Sequence, residues 1–282
     1  MPDQPPKTVL ISGGTDGMGR ATALARLAAG DRVTVIGSDE AKGRALLAET
    51  AHPRLSFLRA DLSSIAENER VAAAIHERYE SLDALALFAN RVHPKRRETA
   101  EGLESTFALY YLSRYLLGRL LTPLLDAAPA PVIVNIAGVG NTAGRIHWAD
   151  PQLTHDYGQI RAQLQAGRAN DLLGVAFAAH SDSRARYVLY HPGFTRSGAD
   201  NHPTPLVRAS IKLLGRFFAR EVSEAVAPVV RWIGHPPDAP LTALDRHKPV
   251  PLTLKSLNPA AATRLESYTE SLTHLPGRPG QP

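Results

Sequence analysis

The chain of 282 residues contains no cysteine. This absence excludes disulfides, thiolate catalysis and cysteine-based metal sites. No apolar run approaches the ~18 residues that a membrane-spanning helix requires, and the first ten residues lack the apolar core of a signal peptide. We therefore expect a cytoplasmic protein without a membrane partner.

Charge of one sign is concentrated nowhere along the chain. The 32 basic and 27 acidic residues give a net charge of +5, and the one small basic cluster is Lys95, Arg96 and Arg97. Nucleic-acid binding calls for a basic stripe or interleaved aromatics, so we expect no nucleic-acid partner. The eleven histidines show no metal-ligand spacing with carboxylates, and we predict no metal site.

Glycine, by contrast, is concentrated directly after the first apolar run, in the segment ISGGTDGMGR. Gly13 permits a tight turn, Gly17 lets the backbone approach a pyrophosphate, and Gly19 lets the following helix pack against the strand. The N-terminus of that helix would face the phosphates. The spacing predicts a dinucleotide site whose contacts are Gly13, Thr15, Asp16, Gly17, Met18 and Gly19.

Short apolar runs alternate with helical patterns along the first two thirds of the chain. Strands are predicted at Thr8–Ile11, Arg32–Ile36, Leu55–Leu58, Ala84–Phe88, Pro131–Ile136 and Arg186–Tyr190. Helices are predicted at Gly17–Ala29, Ala41–Glu49, Ile65–Tyr79, Leu103–Leu125 and Ala162–Ala178. This alternation predicts an α/β domain of the Rossmann type, with a doubly wound parallel sheet and helices on both of its faces.

The last third of the chain is richer in proline and glycine. Its only periodic segments are Val207–Glu221 and Ala260–Leu272, both predicted to be helices. We predict a dinucleotide-binding core over residues 1–197 and a substrate lid with a C-terminal tail over residues 198–282, within the same domain.

With these elements in place, the sequence resembles the short-chain dehydrogenase/reductase family, and within it the retinol-dehydrogenase-like branch, from about Lys7 to Ser197. The resemblance rests on the glycine turn, on Asp61 followed by Leu62, and on the segments TAEGLESTFALYYLSRYLL, ANDLLGVAFA and HPGFTRS. It implies a nicotinamide dinucleotide cofactor. The further contacts that it implies are Ser38, Asp61, Leu62, Ala89, Asn90, Pro192, Gly193, Thr195 and Ser197.

Two of these implied roles have alternatives. Asp61 would hydrogen-bond the adenine, but an aspartate before Leu62-Ser63-Ser64 also fits a helix cap. At the end of the second strand, an NAD-binding protein is expected to carry an acidic side chain that bonds the ribose hydroxyls. Gly37 and Ser38 offer none, which favours NADP(H) over NAD(H), and Lys42 could add positive charge.

The family's catalytic asparagine, serine, tyrosine and lysine are all replaced. Alignment on the flanking motifs places Tyr110, Gly138, Gln163 and Gly167 in those four positions. Gln163 can donate a hydrogen bond but has no proton to transfer near neutral pH, and Gly167 removes the ammonium group. The candidate catalytic residues are therefore Tyr110, Gln163 and the loop residue Asn141.

A second tyrosine offers an alternative. Tyr157 and Arg161 reproduce a Tyr-x-x-x-Arg spacing six residues before the expected one. Arg161 would lie roughly 200° around the helix from Gln163, so the two could not share one face. The loop histidines His93 and His147 are further polar candidates near the cleft.

These features favour a reductase acting on an activated carbonyl, an enone, a quinone or an iminium in secondary metabolism. The glycines at 138 and 167 suit a bulky small-molecule substrate. A non-redox cyclase, isomerase or dehydratase on the same fold is the alternative, and a non-catalytic nucleotide-binding subunit is a second one. The family's pairing of long helices implies a homodimer or homotetramer.

Overall fold

The structure, a computed structural model, describes residues 5–180, 182–193 and 222–273. Its strands are β1 (Thr8–Ser12), β2 (Arg32–Gly37), β3 (Leu55–Arg59), β4 (Ala84–Leu87), β5 (Val132–Ile136), β6 (Arg186–His191), β7 (Leu241–Asp245) and β8 (Lys248–Pro249). They form one sheet in the order β3-β2-β1-β4-β5-β6-β7-β8. The first seven strands are parallel and β8 is antiparallel. The fold is therefore the predicted Rossmann-type α/β sheet.

Helices cover both faces of this sheet. They are α1 (Gly17–Ala28), α2 (Glu40–Thr50), α3 (Ile65–Arg78), α4 (Ser105–Phe107), α5 (Ser113–Leu120), α6 (Thr122–Asp126), α7 (Gln159–His180), α8 (described over 222–234) and α9 (Pro259–Thr273). A π-helical turn over Ala108–Leu112, called the π turn below, joins α4 to α5.

The central strands are buried on every residue because helices lie above and below them. All residues of β1, β4 and β5 are buried, which explains why their sequences are continuous apolar runs instead of alternating ones. One apolar cluster fills the face covered by α3, α5, α7 and α9, and a second fills the face covered by α1, α2 and α8.

Polar side chains cap the N-termini of the first helices. Asp16, Asp39 and Ser64 cap α1, α2 and α3 by accepting hydrogen bonds from backbone amides of the first turn. Glu104, almost completely buried, accepts from two amides of α4. The end of β3 therefore leads into α3 through Ser64, and Asp61 is not the cap of that helix.

The helix predicted over Leu103–Leu125 is interrupted. It begins after the Glu104 cap, passes through the π turn, and ends at Leu120 before α6. Pro123, near the start of α6, cannot continue the preceding hydrogen-bond pattern. Sequence periodicity does not reveal this π turn, because its segment ALYYL is apolar or aromatic at every position and shows no polar face whose shift could be read.

The region predicted as lid and tail also contributes to the main sheet. Residues Leu241–Asp245 form β7, which pairs with β6 along its whole length. The surrounding prolines hid this strand, because it is only five residues long. The helix predicted at Val207–Glu221 lies outside the described residues, as do Thr195 and Ser197.

Helix α9 lies across α5 and α7. The Tyr111 hydroxyl, in the π turn, shares a buried hydrogen bond of 2.7 Å with Thr269, and Arg119 pairs with Glu270 at 3.0 Å. Leu265 is buried in the same interface. This face of the two long helices is therefore covered by the chain itself. Among the helices in the described ranges, none has the length and apolar composition needed to cross a membrane.

We expect Leu265→Ala to lower the free energy of unfolding by about 2–4 kcal/mol, because deleting a buried leucine side chain loses its contacts and leaves a cavity. Leu265 is 1% exposed, whereas Leu252 is 50% exposed and provides the matched control. Leu252→Ala should change stability by less than about 0.5 kcal/mol. Urea denaturation measures both. Equal effects at the two positions would contradict the packing of α9 described above.

Candidate active site

The glycine turn after β1 brings the chain against the end of β4. Gly13 has a φ of +69°, and a Cβ at this position would lie 2.8 Å from the backbone nitrogen of Ala89. The Gly13 amide donates to the carbonyl of Ile36 at 2.9 Å. Only glycine fits this close approach of three strand ends, which is where ligands bind in parallel sheets.

Gly19 lets α1 start close to the same turn. A Cβ on Gly19 would lie 2.2 Å from the carbonyl oxygen of Gly13. Gly17, at a φ of +52°, opens the helix, with Met18 as its second residue. The first-turn amides of a helix have no intrahelical partners, so this turn fits the diphosphate of a dinucleotide.

Around the end of β2 the acidic side chains are engaged elsewhere. The Asp39 carboxylate accepts from the Lys42 amide, and Glu40 pairs with Arg44. Ser38 is exposed, and Gly37 packs against Thr15, whose side chain would lie 2.9 Å from a Cβ at Gly37.

The side chains next to Ser38 carry positive charge. Lys42 pairs with Asp16 at 2.5 Å. That contact, together with the Gly17 amide, holds the pKa of Asp16 below its usual value. The strand register places Arg59 beside Gly37.

The other expected cofactor contacts lie at neighbouring strand ends. The Asp61 carboxylate is exposed and accepts from the amide and hydroxyl of Ser63, whereas the Leu62 side chain is buried in the core. Ala89 and Asn90 follow β4, and the Asn90 side chain is exposed. The roles predicted for these residues stay predictions.

Beyond β6, Pro192 and Gly193 continue the same edge of the sheet. Gly193 has a φ of +90°, and a Cβ there would lie 2.7 Å from Nε of Arg246. The amide of Arg246 donates to the carbonyl of His191, which ties the ends of β6 and β7 together. The described chain stops at Gly193 before resuming at residue 222.

Two of the four replaced catalytic positions are empty of side-chain atoms. No heavy atom of the described residues lies within 4 Å of a Cβ built on Gly138 or Gly167. Gln163 lies four residues before Gly167 on α7. Its amide oxygen is buried and accepts no hydrogen bond from the described part of the chain. Each of these two glycines therefore borders open space, and the assignment of Gly138, Gln163 and Gly167 to the family's serine, tyrosine and lysine positions stays a prediction.

Tyr110, in the asparagine position, lies in the π turn and is 5% exposed. Within the described ranges its hydroxyl makes no hydrogen bond, while its backbone carbonyl accepts from Asn170 at 2.7 Å. Burial raises the pKa of Tyr110 above its usual value, and the charge of Arg114 opposes that rise. The phenol is therefore protonated near neutral pH and has a proton to give.

The third candidate, Asn141, makes hydrogen bonds within its own loop and to α7. Its amide oxygen accepts from the Ala143 amide at 2.9 Å, and its carbonyl accepts from Arg168. Arg168 also pairs with Asp171 at 2.8 Å and so fastens the loop after β5 to α7. A catalytic role for Asn141 stays a prediction, and the geometry gives it a structural one.

The alternative pair, Tyr157 and Arg161, does not form a dyad. The Tyr157 hydroxyl donates to the carbonyl of His93 at 2.6 Å, and Arg161 pairs with Asp156. Both residues line an open cleft of about 670 Å³ between the loop after β5 and the first turns of α7. His147 lines it as well, and burial with two nearby arginines lowers the pKa of that imidazole.

Sequence reasoning missed two buried charged residues near Tyr110. Arg114 is completely buried and contacts the ring of Tyr110, with its guanidinium carbon 4.6 Å from the ring centroid. Asp171 is also buried, and burial raises the pKa of its carboxyl to about 7 although Arg168 opposes the rise. In the sequence, each of these two residues is recognisable only as a charged residue within a largely apolar helical segment.

Comparison with known proteins agrees with this architecture. The family model described as short chain dehydrogenase matches residues 7–150. A protein of Streptomyces sp. (strain C5), named as a candidate daunorubicin C-13 ketoreductase, is 31% identical over 68% of this chain and 67% of its own length. Mouse retinol dehydrogenase 13 is 30% identical over 76% of this chain and 66% of its own length.

Solved structures share the fold. An uncharacterized protein from Mycobacterium paratuberculosis superposes with a TM-score of 0.73 at 21% identity, covering 95% of this chain and 93% of its own. A candidate short chain dehydrogenase of Shigella flexneri 2a, complexed with NADP, gives a TM-score of 0.60 at 18% identity, covering 86% and 97%. At these identities the likeness concerns the fold alone.

The contrast between the glycines can be tested by adding a single methyl group. We expect Gly167→Ala to raise the free energy of unfolding by about 1 kcal/mol, because it removes a glycine from a helix interior where nothing blocks the new methyl. Gly19→Ala, also in a helix, should lower it by about 1–3 kcal/mol, since the methyl meets the Gly13 carbonyl. Urea denaturation measures both, and a strongly destabilised Gly167→Ala would mean that the space is filled.

Proposed function

The chain belongs to the short-chain dehydrogenase family, and from that premise we propose that it is an NADP(H)-dependent reductase of an activated carbonyl, enone, quinone or iminium. The observation that carries the proposal is the pairing of a complete glycine turn with a buried tyrosine, Tyr110, whose hydroxyl has no partner in the described structure. A nucleotide cradle without any proton donor would instead favour a silent binding subunit.

The cofactor would supply hydride to the substrate. The turn over residues 13–19 would hold its diphosphate, because the first-turn amides of α1 and the close glycine packing suit an anion there. Asp61 is exposed beside the expected adenosine site, and its carboxylate, which accepts from Ser63, keeps further acceptor capacity for an adenine amine. The space beside Gly138 and Gly167 would admit the nicotinamide and a bulky acceptor.

The preference for NADP(H) rests on the charges around Ser38. The neighbouring carboxylates are occupied, Asp39 by its own helix and Glu40 by Arg44. Lys42 follows on α2, and Arg59 extends from β3 with its side chain 67% exposed and only a distant contact, 4.0 Å, to Glu40. A 2′-phosphate would meet Arg59 and Lys42, the second of which is shared with Asp16, whereas the side chains at positions 37 and 38 offer no carboxylate to the ribose hydroxyls.

We expect NADPH to bind more tightly than NADH in titration calorimetry. Arg59→Gln should weaken NADPH binding by about tenfold, the equivalent of one charged contact, and leave NADH binding unchanged. Arg54→Gln is the matched control, because Arg54 is an exposed arginine just before the opposite end of the same strand, where it donates to the carbonyl of Gly30. Tighter binding of NADH by the wild type would contradict the preference.

In the reduction, Tyr110 would donate its proton to the acceptor oxygen as the neighbouring carbon receives hydride. Gln163 would orient the acceptor through its amide nitrogen, since an amide has no proton to give at neutral pH. A general acid is typically worth ~10²–10⁴ in rate. Because burial raises the pKa of Tyr110, this donor suits acceptors that need little acid assistance, such as quinones.

We expect Tyr110→Phe to lower kcat/KM for phenanthrenequinone by at least about 10²-fold, measured through the loss of NADPH absorbance. Tyr111→Phe is the control: it removes a neighbouring hydroxyl that bonds only Thr269. That change should cost about 1 kcal/mol of stability and no activity.

The pH profile provides a check on the same donor. The proton is present below the pKa of Tyr110, which burial raises above the ordinary tyrosine value of about 10, so reduction should stay constant from neutral pH to about pH 10 and fall only above it. The reverse oxidation needs the phenolate, so its rate should rise with pH where the rate of reduction falls. Full activity of Tyr110→Phe would contradict the role of this residue.

A non-redox cyclase, isomerase or dehydratase is the second candidate. It is favoured by the open space at Gly138 and Gly167, where binding and orientation alone would act on a bulky intermediate. The name of the Streptomyces relative, a candidate daunorubicin C-13 ketoreductase, supports the reductase over this second candidate. Consumption of NADPH with a quinone or enone panel separates the two.

The quaternary structure is constrained by α9. A homodimer or homotetramer paired through the long helices would use the face of α5 and α7, which α9 covers through Leu265, Thr269 and Glu270. We therefore expect any dimer of this chain to form through a different surface.

A further inference from the structure

We propose that Arg114 is the cationic partner of Tyr110, so that the long helix carries a Tyr-x-x-x-Arg pair in place of the tyrosine and lysine that α7 has lost. The pair deepens the reductase function proposed above and rests on it. Arg114 is a positioning residue here: it acts on the substrate only through the tyrosine.

Helix geometry brings the two side chains together. They are four residues apart, a spacing that places side chains on one helix face, and Tyr110 lies in the π turn that directly precedes α5. The Arg114 guanidinium carbon lies 4.6 Å from the centroid of the Tyr110 ring, within the ~6 Å range of a cation–π contact. π turns inside α-helices are frequent at functional sites.

Hydrogen bonds hold the guanidinium at the ends of the central strands. One terminal nitrogen donates to the carbonyl of Ile136 at 2.8 Å and to the side-chain oxygen of Asn135, both in β5. The other donates to the carbonyl of Ala89, just after β4, at 3.0 Å. Ligands of parallel sheets bind beyond these strand ends, so the cation lies directly under the proposed nicotinamide and acceptor site.

The charge of Arg114 has no carboxylate partner among the described residues. All three of its acceptors are neutral, and Nε is buried without an acceptor in that part of the chain. Burial lowers the pKa of Arg114 to about 10, which still leaves it charged at neutral pH. Burying an uncompensated charge is costly, and a negative charge that develops on Tyr110 would compensate it.

Other charged and titratable groups around the pair come from two elements. Asp171 on α7 raises the pKa of Tyr110, but it is itself paired with Arg168. Tyr187 on β6 faces Arg114, and its hydroxyl bonds Asn135 at 2.8 Å. Arg114 is therefore the group that favours the phenolate of Tyr110, and its removal would leave burial and Asp171 unopposed.

A second Tyr-x-x-x-Arg pair, Tyr115 and Arg119 on α5, differs from the first in the partner of its arginine. Arg119 lies over the ring of Tyr115 at 5.9 Å and bonds its hydroxyl at 2.8 Å, but it also pairs with Glu270 of α9. That pair lies in a helix interface, away from the strand ends. The arginines of the Tyr115–Arg119 and Tyr157–Arg161 pairs each bond a carboxylate, whereas Arg114 has none among the described residues.

The chemical step balances within this arrangement. A bound reduced cofactor would supply hydride to the acceptor carbon, and the electron pair of the C=O bond would move to oxygen. That oxygen takes the Tyr110 proton, which leaves a phenolate over the Arg114 guanidinium and an oxidised nicotinamide. A proton from water restores the phenol before the next turnover.

The test is a pH titration of isotope-labelled tyrosine by NMR, with the Tyr110 signal identified by its absence in Tyr110→Phe. We expect Arg114→Met to raise the pKa of Tyr110 by about one unit or more, and Arg114→Lys, which keeps the charge, to restore most of that shift. Arg119→Met is the control and should move the Tyr115 signal alone. An unchanged pKa of Tyr110 in Arg114→Met would overturn the proposal.

Kinetics separate this proposal from the reductase function. With phenanthrenequinone and NADPH, Arg114→Met should lower kcat about tenfold or more with little change in KM, and Arg114→Lys should recover most of it. A chain that binds no NADPH or oxidises none would refute the reductase function, while the titration would still decide whether the two side chains are coupled.

A measurement on the unaltered Arg114 covers the case in which Arg114→Met fails to fold. In the wild type the guanidinium resonance of Arg114 should shift in step with the ionisation of Tyr110. In Tyr110→Phe the part of the shift that follows the ionisation of the tyrosine should be lost, which leaves only the change due to the guanidinium's own ionisation. A guanidinium signal that does not respond to pH in the wild type would count against the pair.

Discussion

One buried guanidinium connects the π turn of the long helix to the ends of two central strands. Arg114 joins the ends of β4 and β5 to the π turn through hydrogen bonds to the carbonyls of Ala89 and Ile136. Hydrogen bonds from a charged donor are stronger than neutral ones, but here they replace water around a full charge with neutral acceptors alone. Burying this charge costs stability unless it stabilises a neighbouring group. Tyr110 is the side chain whose ring contacts it.

The glycines around the proposed cofactor and substrate sites fall into two sets that differ in what surrounds them. Gly138 and Gly167 border open space, so the positions they occupy bear little packing load, whereas Gly13 and Gly19 are fixed by backbone atoms within 3 Å of where a Cβ would stand. The nucleotide turn and the catalytic positions are thus under different physical constraints. One set can change chemistry while the other preserves the cofactor cradle.

Sequence patterns predict the elements whose signal is local. The strands over Thr8–Ser12 and Val132–Ile136 are continuous apolar runs, and the glycine turn carries its own steric reason. They do not predict β7, a short strand among prolines that is stabilised by pairing with β6, nor the π turn. The role of Arg114 could not be predicted for a related reason. The function of a charged residue on an apolar helix face depends on the strand ends that it bonds, and these are known only from the structure.

If Tyr110 is the proton donor, as we propose, its environment restricts the acceptors that the enzyme would reduce. An ammonium next to a tyrosine lowers the pKa of the phenol by direct charge attraction, whereas Arg114 contacts the ring face, and burial keeps the net shift upward. A weaker acid gives its proton late, after negative charge has built up on the acceptor oxygen. Simple ketones, which form a strongly basic alkoxide, depend on an early proton. Quinones and enones spread that charge over several atoms and tolerate a late one, so the geometry and the acidity of Tyr110 favour the same class of acceptor.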